Sequence, residues 1–143
     1  MELPTLEVQY GNYPVREGQR IPISRTRNEP NLYWNAEAGS KYVIIMYDFD
    51  ARDPPYLHWI VINATTDDPG LELAPYTPPH PPGSEIHEYT IEIFLQPDPI
   101  ANEWIAELPD RDGFPLNEFI NNNGLVSLGA LTFKTGFMPD GYA

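Results

Sequence analysis

Seventeen of the 143 residues are proline, and they are spread along the chain from Pro4 to Pro139. Inside a helix a proline removes a hydrogen-bond donor and clashes with the preceding turn, at a cost of about 3 kcal/mol. At strand ends and in loops it is tolerated. The chain is thereby steered away from long helices and toward a mostly β fold with stiff connections. A hydrophobic fraction of 41% and an aromatic fraction of 13% are too high for a disordered sequence. The length suits a single domain over residues 1–143, since a chain of this size buries about two thirds of its unfolded surface.

The apolar periods agree. Leu6 to Tyr10 alternates, Arg20 to Ile23 is a short extended candidate, and Leu32-Tyr33-Trp34 is bounded by Pro30 and Gly39-Ser40. Tyr42–Tyr47 and Leu57–Asn63 are continuous apolar runs, which suit strands buried on both faces. Tyr89 to Leu95 places Tyr89, Ile91, Ile93 and Leu95 on one face and Thr90, Glu92 and Phe94 on the other. Leu125 to Phe133 is the last strong strand. One short helix is expected over 115–122, with Pro115 in its first turn, Gly124 as its stop, and Leu116, Phe119 and Ile120 on one face. Leu73 to Gly83, with prolines at 75, 78, 79, 81 and 82, reads as a stiff loop.

The formal charge is −13, from 21 acids against 8 bases. Such a chain repels phosphate backbones and anionic lipid surfaces, so neither nucleic acid nor an acidic membrane is an expected partner. Cysteine is absent, which removes disulfides, thiolate nucleophiles and Cys-ligated metals. No apolar run reaches the length of a membrane span, and Met-Glu-Leu-Pro does not open like a signal peptide. A cytoplasmic protein without stable membrane insertion is expected, which makes the Asn63-Ala64-Thr65 glycosylation sequon a chance match.

All three histidines, His58, His80 and His87, fall within thirty residues, and Asp48 and Asp50 lie just upstream. Histidine binds, titrates and donates near neutral pH, so its confinement to one window points to a site there; scattered surface histidines would satisfy the same spacing. Asp48 and Asp50 close one apolar strand, and His58 opens the next. Carboxylates and an imidazole so placed can meet at one edge of a sheet, although an ordinary Asx turn before Pro54-Pro55 explains the two acids equally well. His87 and Tyr89 are two apart and face the same side of their strand. A proline and aromatic wall with a few convergent polar groups is a common lining for a small-molecule pocket.

Catalysis is not compelled. There is no Cys, the four serines lack a Gly-x-Ser-x-Gly elbow, and a zinc site would have to be assembled without a His-Glu-x-x-His helix. With 21 acids, a carboxylate pair of glycosidase type carries no information. No catalytic residue, metal or cofactor is assigned, and the chain is expected not to be an enzyme.

Two segments carry a resemblance. YVIIMYDFDARDPPYLHWIVIN is similar to a signature in which Asp-Pro-Asp-Ala-Pro ends a strand and a His begins the next. YTPPHPPGSEIHEYTIEIFL is similar to a Gly/Pro-rich loop followed by His-Arg-Tyr and an apolar strand. Together with LEVQYGNYPVREGQRIPISRTRNEPNLYWN and FPLNEFINNNGLVSLGALTF, they resemble, in order, the phosphatidylethanolamine-binding protein family, which includes Raf kinase inhibitor proteins and plant flowering-time regulators. The resemblance implies a β sandwich of two packed antiparallel sheets with one or two short helices and an anion-binding pocket at one end. It implies that Asp48, Asp50, His58, His87 and Tyr89 are the polar groups of that pocket, that Pro81 and Pro82 form its rim, and that Tyr56 stands near its mouth. The implied ligand is a phosphate-containing or phosphoethanolamine-like small molecule. The implied action is modulation of a protein partner, of kinase-regulator or signalling type; some relatives inhibit proteases, and a carrier of a neutral or zwitterionic ligand is a further alternative.

The sequence departs from the pattern. Phe49 and Arg52 stand where the first signature has prolines, Glu88 replaces the Arg of His-Arg-Tyr, and a short form lacking the C-terminal helix of animal members is expected. Between Asp53 and Asp110 there are eleven acids and no Lys or Arg. Unit charges ~10 Å apart near a surface interact by about 1–2 kcal/mol before screening. Phosphate binding is therefore expected to be weakened, or to depend on Arg52 at the rim.

Overall fold

The computed structural model describes residues 6–100 and 110–137. The strands, in chain order, are β1 (Leu6–Tyr10), β2 (Tyr13–Val15), β3 (Gln19–Arg20), β4 (Asn31–Trp34), β5 (Lys41–Asp48), β6 (Tyr56–Ala64), β7 (Leu71–Ala74), β8 (Ile86–Gln96) and β9 (Val126–Gly136). A 3-10 turn covers Ile23–Thr26, and the helix α1 covers Leu116–Asn122. They form a three-stranded sheet in the order β2-β1-β4 and a six-stranded sheet in the order β3-β9-β8-β5-β6-β7.

Apolar patterning assigns the layers. Leu6, Val8, Tyr10 and Val15 of the small sheet meet Tyr42, Ile44, Met46, Trp59, Val61, Tyr89, Ile91, Ile93, Leu131 and Phe133 of the large one. On the other face of the large sheet, Val43, Ile45, Ile60, Ile62 and Phe94 are covered by Ile100, Phe114, Leu116, Phe119 and Leu125 from α1 and its flanks. The large sheet is thus a middle layer. Its central strand β5 is buried at seven consecutive positions, Tyr42 to Asp48, which is why its sequence is a continuous apolar run rather than an alternation. On β8, Tyr89, Ile91 and Ile93 turn to the small sheet and Phe94 to α1, as the period of two requires. α1 follows the expected bounds, with Pro115 at its N-cap and Leu116 and Phe119 buried.

Four local readings change. The extended candidate at 20–23 shortens to Gln19–Arg20 because Pro22 precedes a 3-10 turn. That short β3 pairs with β9 in parallel, so the large sheet is not purely antiparallel. The segment read as a stiff loop from Leu73 starts as strand, with Leu73 and Ala74 ending β7 and buried in the outer core. β2 was not anticipated, because three residues carrying a central proline give no period. Among the described residues no helix is long and apolar enough to cross a membrane.

Phe133 is fully buried; its ring lies 5.8 Å from Tyr10 and 5.7 Å from Tyr89, so one side chain supports both sheets at the His87 end. Truncation there removes transfer energy and leaves a cavity. Phe133→Ala is expected to lower unfolding free energy by about 3–5 kcal/mol in chemical denaturation, whereas Val126→Ala, on the same strand but 53% exposed, shifts it by less than about 0.5 kcal/mol.

Candidate functional site

At the end of the large sheet where β5 stops and β8 begins, the structure has a cleft of about 790 Å³ on the face toward the small sheet. All nine residues expected at a site line it: Asp48, Asp50, Arg52, Tyr56, His58, Pro81, Pro82, His87 and Tyr89. Thr77, Pro78, His80 and Glu85 line it as well.

Strand register explains the convergence. Asp48 is paired across with Tyr56 on one side and with Tyr89 on the other. It is 3% exposed, a costly position for a carboxylate unless both oxygens find donors. They do. Oδ1 accepts the Asp50 N–H at 2.7 Å, and Oδ2 lies 2.7 Å from Nδ1 of His87. The Asx turn and the site, alternatives in the sequence, are one structure: each oxygen of Asp48 serves one of them. Asp50 then closes the turn onto the neighbouring strand, its Oδ2 accepting the Glu88 N–H at 2.7 Å.

His58 reaches the cleft by a different device. The β5–β6 pairing shifts register between Met46 and Tyr47, so Met46 opposes Trp59 and Tyr47 opposes Leu57, and His58 has no partner. Such a bulge re-aims a side chain and tightens the local twist. His58 consequently stacks edge-on between Tyr56, at 4.8 Å, and Tyr89, at 5.2 Å. Its Nδ1 donates to the Thr77 carbonyl at 2.7 Å, while the Thr77 N–H donates back to the His58 carbonyl at 2.8 Å. Nδ1 carries the proton, so Nε2 of the neutral ring is left as an acceptor.

The two rings are pushed in opposite directions. Burial pushes His58 below the ordinary 6.5, against the opposing pulls of the Thr77 carbonyl and Asp48. Burial also acts on His87, but the hydrogen bonds and charges of Glu85 and Asp48 outweigh it and raise its pKa above 6.5. The Tyr89 hydroxyl is raised well above its usual value by burial and by Asp48 and Asp50, so it stays a neutral donor.

Three surrounding residues were not foreseen in these positions. Glu88 sits between His87 and Tyr89 in sequence, yet strand alternation turns it to the opposite face, where it is exposed and in register with Lys134 of β9. The acid that enters the cleft is Glu85, whose Oε1 lies 3.0 Å from Nε2 of His87. Arg111, distant in sequence, backs the site: its guanidinium donates to the carbonyls of Leu57, His58 and Pro75 at 3.0, 3.1 and 2.7 Å. Arg52 is thus not alone as a nearby base, although it is the one of the two that lines the cleft. The signal that could have pointed to it is the proline run, whose residues supply carbonyls but no N–H groups.

Comparison with known proteins matches residues 11–133 to the family model described as phosphatidylethanolamine-binding protein. The chain is 27% identical over 129 residues to the 26 kDa secreted antigen of Toxocara canis, covering 81% of this chain and 49% of that protein. It is 33% identical over 123 residues to putative odorant-binding protein A5 of Drosophila melanogaster, covering 76% and 57%. The chain spans about half the length of these curated relatives. Among solved structures, a carboxypeptidase Y inhibitor complexed with its cognate proteinase superposes with a TM-score of 0.79 at 17% identity, covering 94% of this chain and 85% of that one; at that identity the likeness is one of fold.

The opposed histidines give a pH signature. A folded pKa raised above the unfolded 6.5 contributes stability that is complete below pH 6.5 and fades as pH rises through the folded value. His87→Gln is therefore expected to destabilise by about 1–3 kcal/mol at pH 5.5 and by less at pH 8, in paired urea melts; an equal loss at both pH values would contradict the raised pKa.

Proposed function

The chain belongs to the phosphatidylethanolamine-binding protein family, and from that premise we propose that it acts by binding rather than turnover. The cleft takes a small ligand carrying a phosphate or phosphoethanolamine-like group, and the occupied rim is read by a protein partner of signalling type in the cytoplasm. The observation that supports this most is the gathering of three histidines and two tyrosines, with a base at the rim, into one cleft beside strands fixed by a buried Asp48. An imidazolium, neutral tyrosine hydroxyls and a guanidinium are suitable donors for a tetrahedral oxyanion. Tyr56 and Tyr89 supply the hydroxyls, and Arg52 supplies a permanent charge from an exposed position.

An NMR titration of the histidine rings with inorganic phosphate and phosphoethanolamine, at low and moderate salt, tests the pocket. His58 and His87 are expected to shift together and saturate. Arg52→Ala is expected to weaken phosphate about tenfold, with the loss shrinking as salt rises. Rings that do not move at millimolar ligand would remove phosphate from the reading.

A second reading, protease inhibition, is favoured by the solved structure of the carboxypeptidase Y inhibitor with its proteinase, whose fold this chain shares. Assay against a panel of carboxypeptidases and endoproteases separates the two. The signalling reading expects no inhibition at micromolar protein and expects capture of a partner that depends on ligand; stoichiometric inhibition independent of ligand would select the inhibitor.

A further inference from the structure

The cleft already holds an anion of its own. Both ring nitrogens of His87 face carboxylate oxygens, Asp48 on Nδ1 at 2.7 Å and Glu85 on Nε2 at 3.0 Å. An ionised carboxylate only accepts, so both nitrogens donate and the ring is an imidazolium shared by two anions. The two partners are not equivalent. The Asp48 side chain is 4% exposed and tied on its other oxygen to the Asp50 N–H, whereas the Glu85 side chain is 59% exposed.

The backbone at Glu85 is nevertheless fixed. Its N–H donates to the Pro82 carbonyl, and its own carbonyl accepts from Phe137 N–H, each at 3.1 Å. Gly136 approaches so closely, at φ 148°, that a Cβ there would collide with the Glu85 carbonyl and the Pro81 ring. The main chain therefore delivers the carboxylate to the cleft from a set position, and the side chain alone can turn out to water.

We propose that Glu85 is the specificity-determining residue of the cleft: its carboxylate occupies Nε2 of His87 as an intramolecular competitor, and an incoming oxyanion binds by displacing it while the loop backbone stays in place. This rests on the reading of the cleft as an oxyanion site. Retaining Glu85 beside the ligand would crowd a second and a third anion around one imidazolium, so the exchange is obligatory. A simple carboxylate gains from Nε2 only what Glu85 gives up. A tetrahedral oxyanion that also reaches the tyrosine hydroxyls or Arg52 gains more than the exchange costs. The device therefore selects phosphate-bearing ligands over small carboxylates. If Glu85 is engaged about nine-tenths of the time, the competent fraction is about one-tenth and apparent affinity falls about tenfold.

Calorimetric titration with inorganic phosphate and with acetate tests this on the wild type, Glu85→Ala, Glu85→Gln and Glu88→Gln. Glu88→Gln makes the same charge change on the opposite face of the sheet. Glu85→Ala is expected to bind phosphate about tenfold more tightly and to acquire acetate binding that the wild type lacks, because acetate refills the vacated position. Glu85→Gln, which keeps an acceptor but loses the charge, is expected to fall between, and Glu88→Gln to stay within about twofold of wild type. The ¹⁵N resonance of His87 Nε2 should report an exchange of partner on phosphate addition in the wild type. Wild type and Glu85→Ala binding phosphate equally would overturn displacement and leave the phosphate reading standing. An equal gain in Glu88→Gln would overturn it in favour of a diffuse charge effect. Absence of phosphate binding in both wild type and Glu85→Ala would overturn both readings.

Discussion

The cleft is organised by one buried carboxylate. Asp48 terminates the central strand β5 where the chain must leave the sheet, and each of its oxygens has a separate duty. One closes the turn through the Asp50 N–H; the other fixes the tautomer, charge and direction of His87. Because Asp50 returns a hydrogen bond to the Glu88 N–H, turn, ring and neighbouring strand form a closed circuit of charge-assisted bonds. A buried carboxylate costs several kcal/mol of desolvation, which such bonds offset only when every lone pair of consequence is used. That requirement makes the geometry unforgiving, and it makes the cleft a feature of the folded sheet rather than of a mobile loop.

The proline-rich segment from Pro75 to Pro82 forms the opposite wall, and it has the converse difficulty. Proline supplies a carbonyl but no N–H, so such a segment cannot complete a ladder with its neighbour. Thr77 provides one of the few N–H groups and exchanges two bonds with His58. Arg111 then gathers the carbonyls of Leu57, His58 and Pro75 with one guanidinium. Tyr76 anchors the segment to the small sheet: its hydroxyl donates to the Thr26 carbonyl and accepts from Tyr10 at 2.9 Å. Stiffness read from the sequence thus becomes useful only through donors contributed from elsewhere in the fold.

Much of this was legible in the sequence. A six-residue apolar run marked the doubly covered β5, a period of two sorted Tyr89, Ile91 and Ile93 from Phe94, and Pro115 with Gly124 bracketed α1. Asp48, Asp50, His58, His87 and Tyr89 were legible as strand ends and strand starts that fall at one edge of an antiparallel sheet, whereas Pro81, Pro82 and Tyr56 followed from the family resemblance. What escaped were effects of pairing. β2 and β7 are short and exist by virtue of their neighbours, and β3 owes its parallel partner to the path of the chain past Pro22. The bulge that aims His58 inward is a mismatch between two strands, so neither strand carries its signature alone. The same holds for the acids: proximity in sequence singled out Glu88, whereas alternation sends it to the far face and the turn through Pro82 brings Glu85 to His87.

The acidic excess takes on a different meaning in this light. Eleven acids without a base between Asp53 and Asp110 suggest a field that would repel any anion from the cleft. In the fold several of them are committed as acceptors to fixed donors: Glu72 to the Trp59 indole, Glu92 to the hydroxyls of Tyr47 and Ser127, and Asp68 to the Gly70 N–H. These serve local structure, and the more distant of them act on the cleft only through screened solvent. The acids that line it are Asp48, Asp50 and Glu85, facing the imidazolium of His87 and the guanidinium of Arg52. Asp48 and Asp50 are held in the circuit that builds the site, so neither can leave. Glu85, 59% exposed, is the one cleft carboxylate whose side chain bonds, among the described residues, only to the ring a ligand would need. The balance between repelling and accepting an oxyanion therefore turns on a single rotatable side chain, and the net charge of the chain is a poor guide to what the cleft accepts.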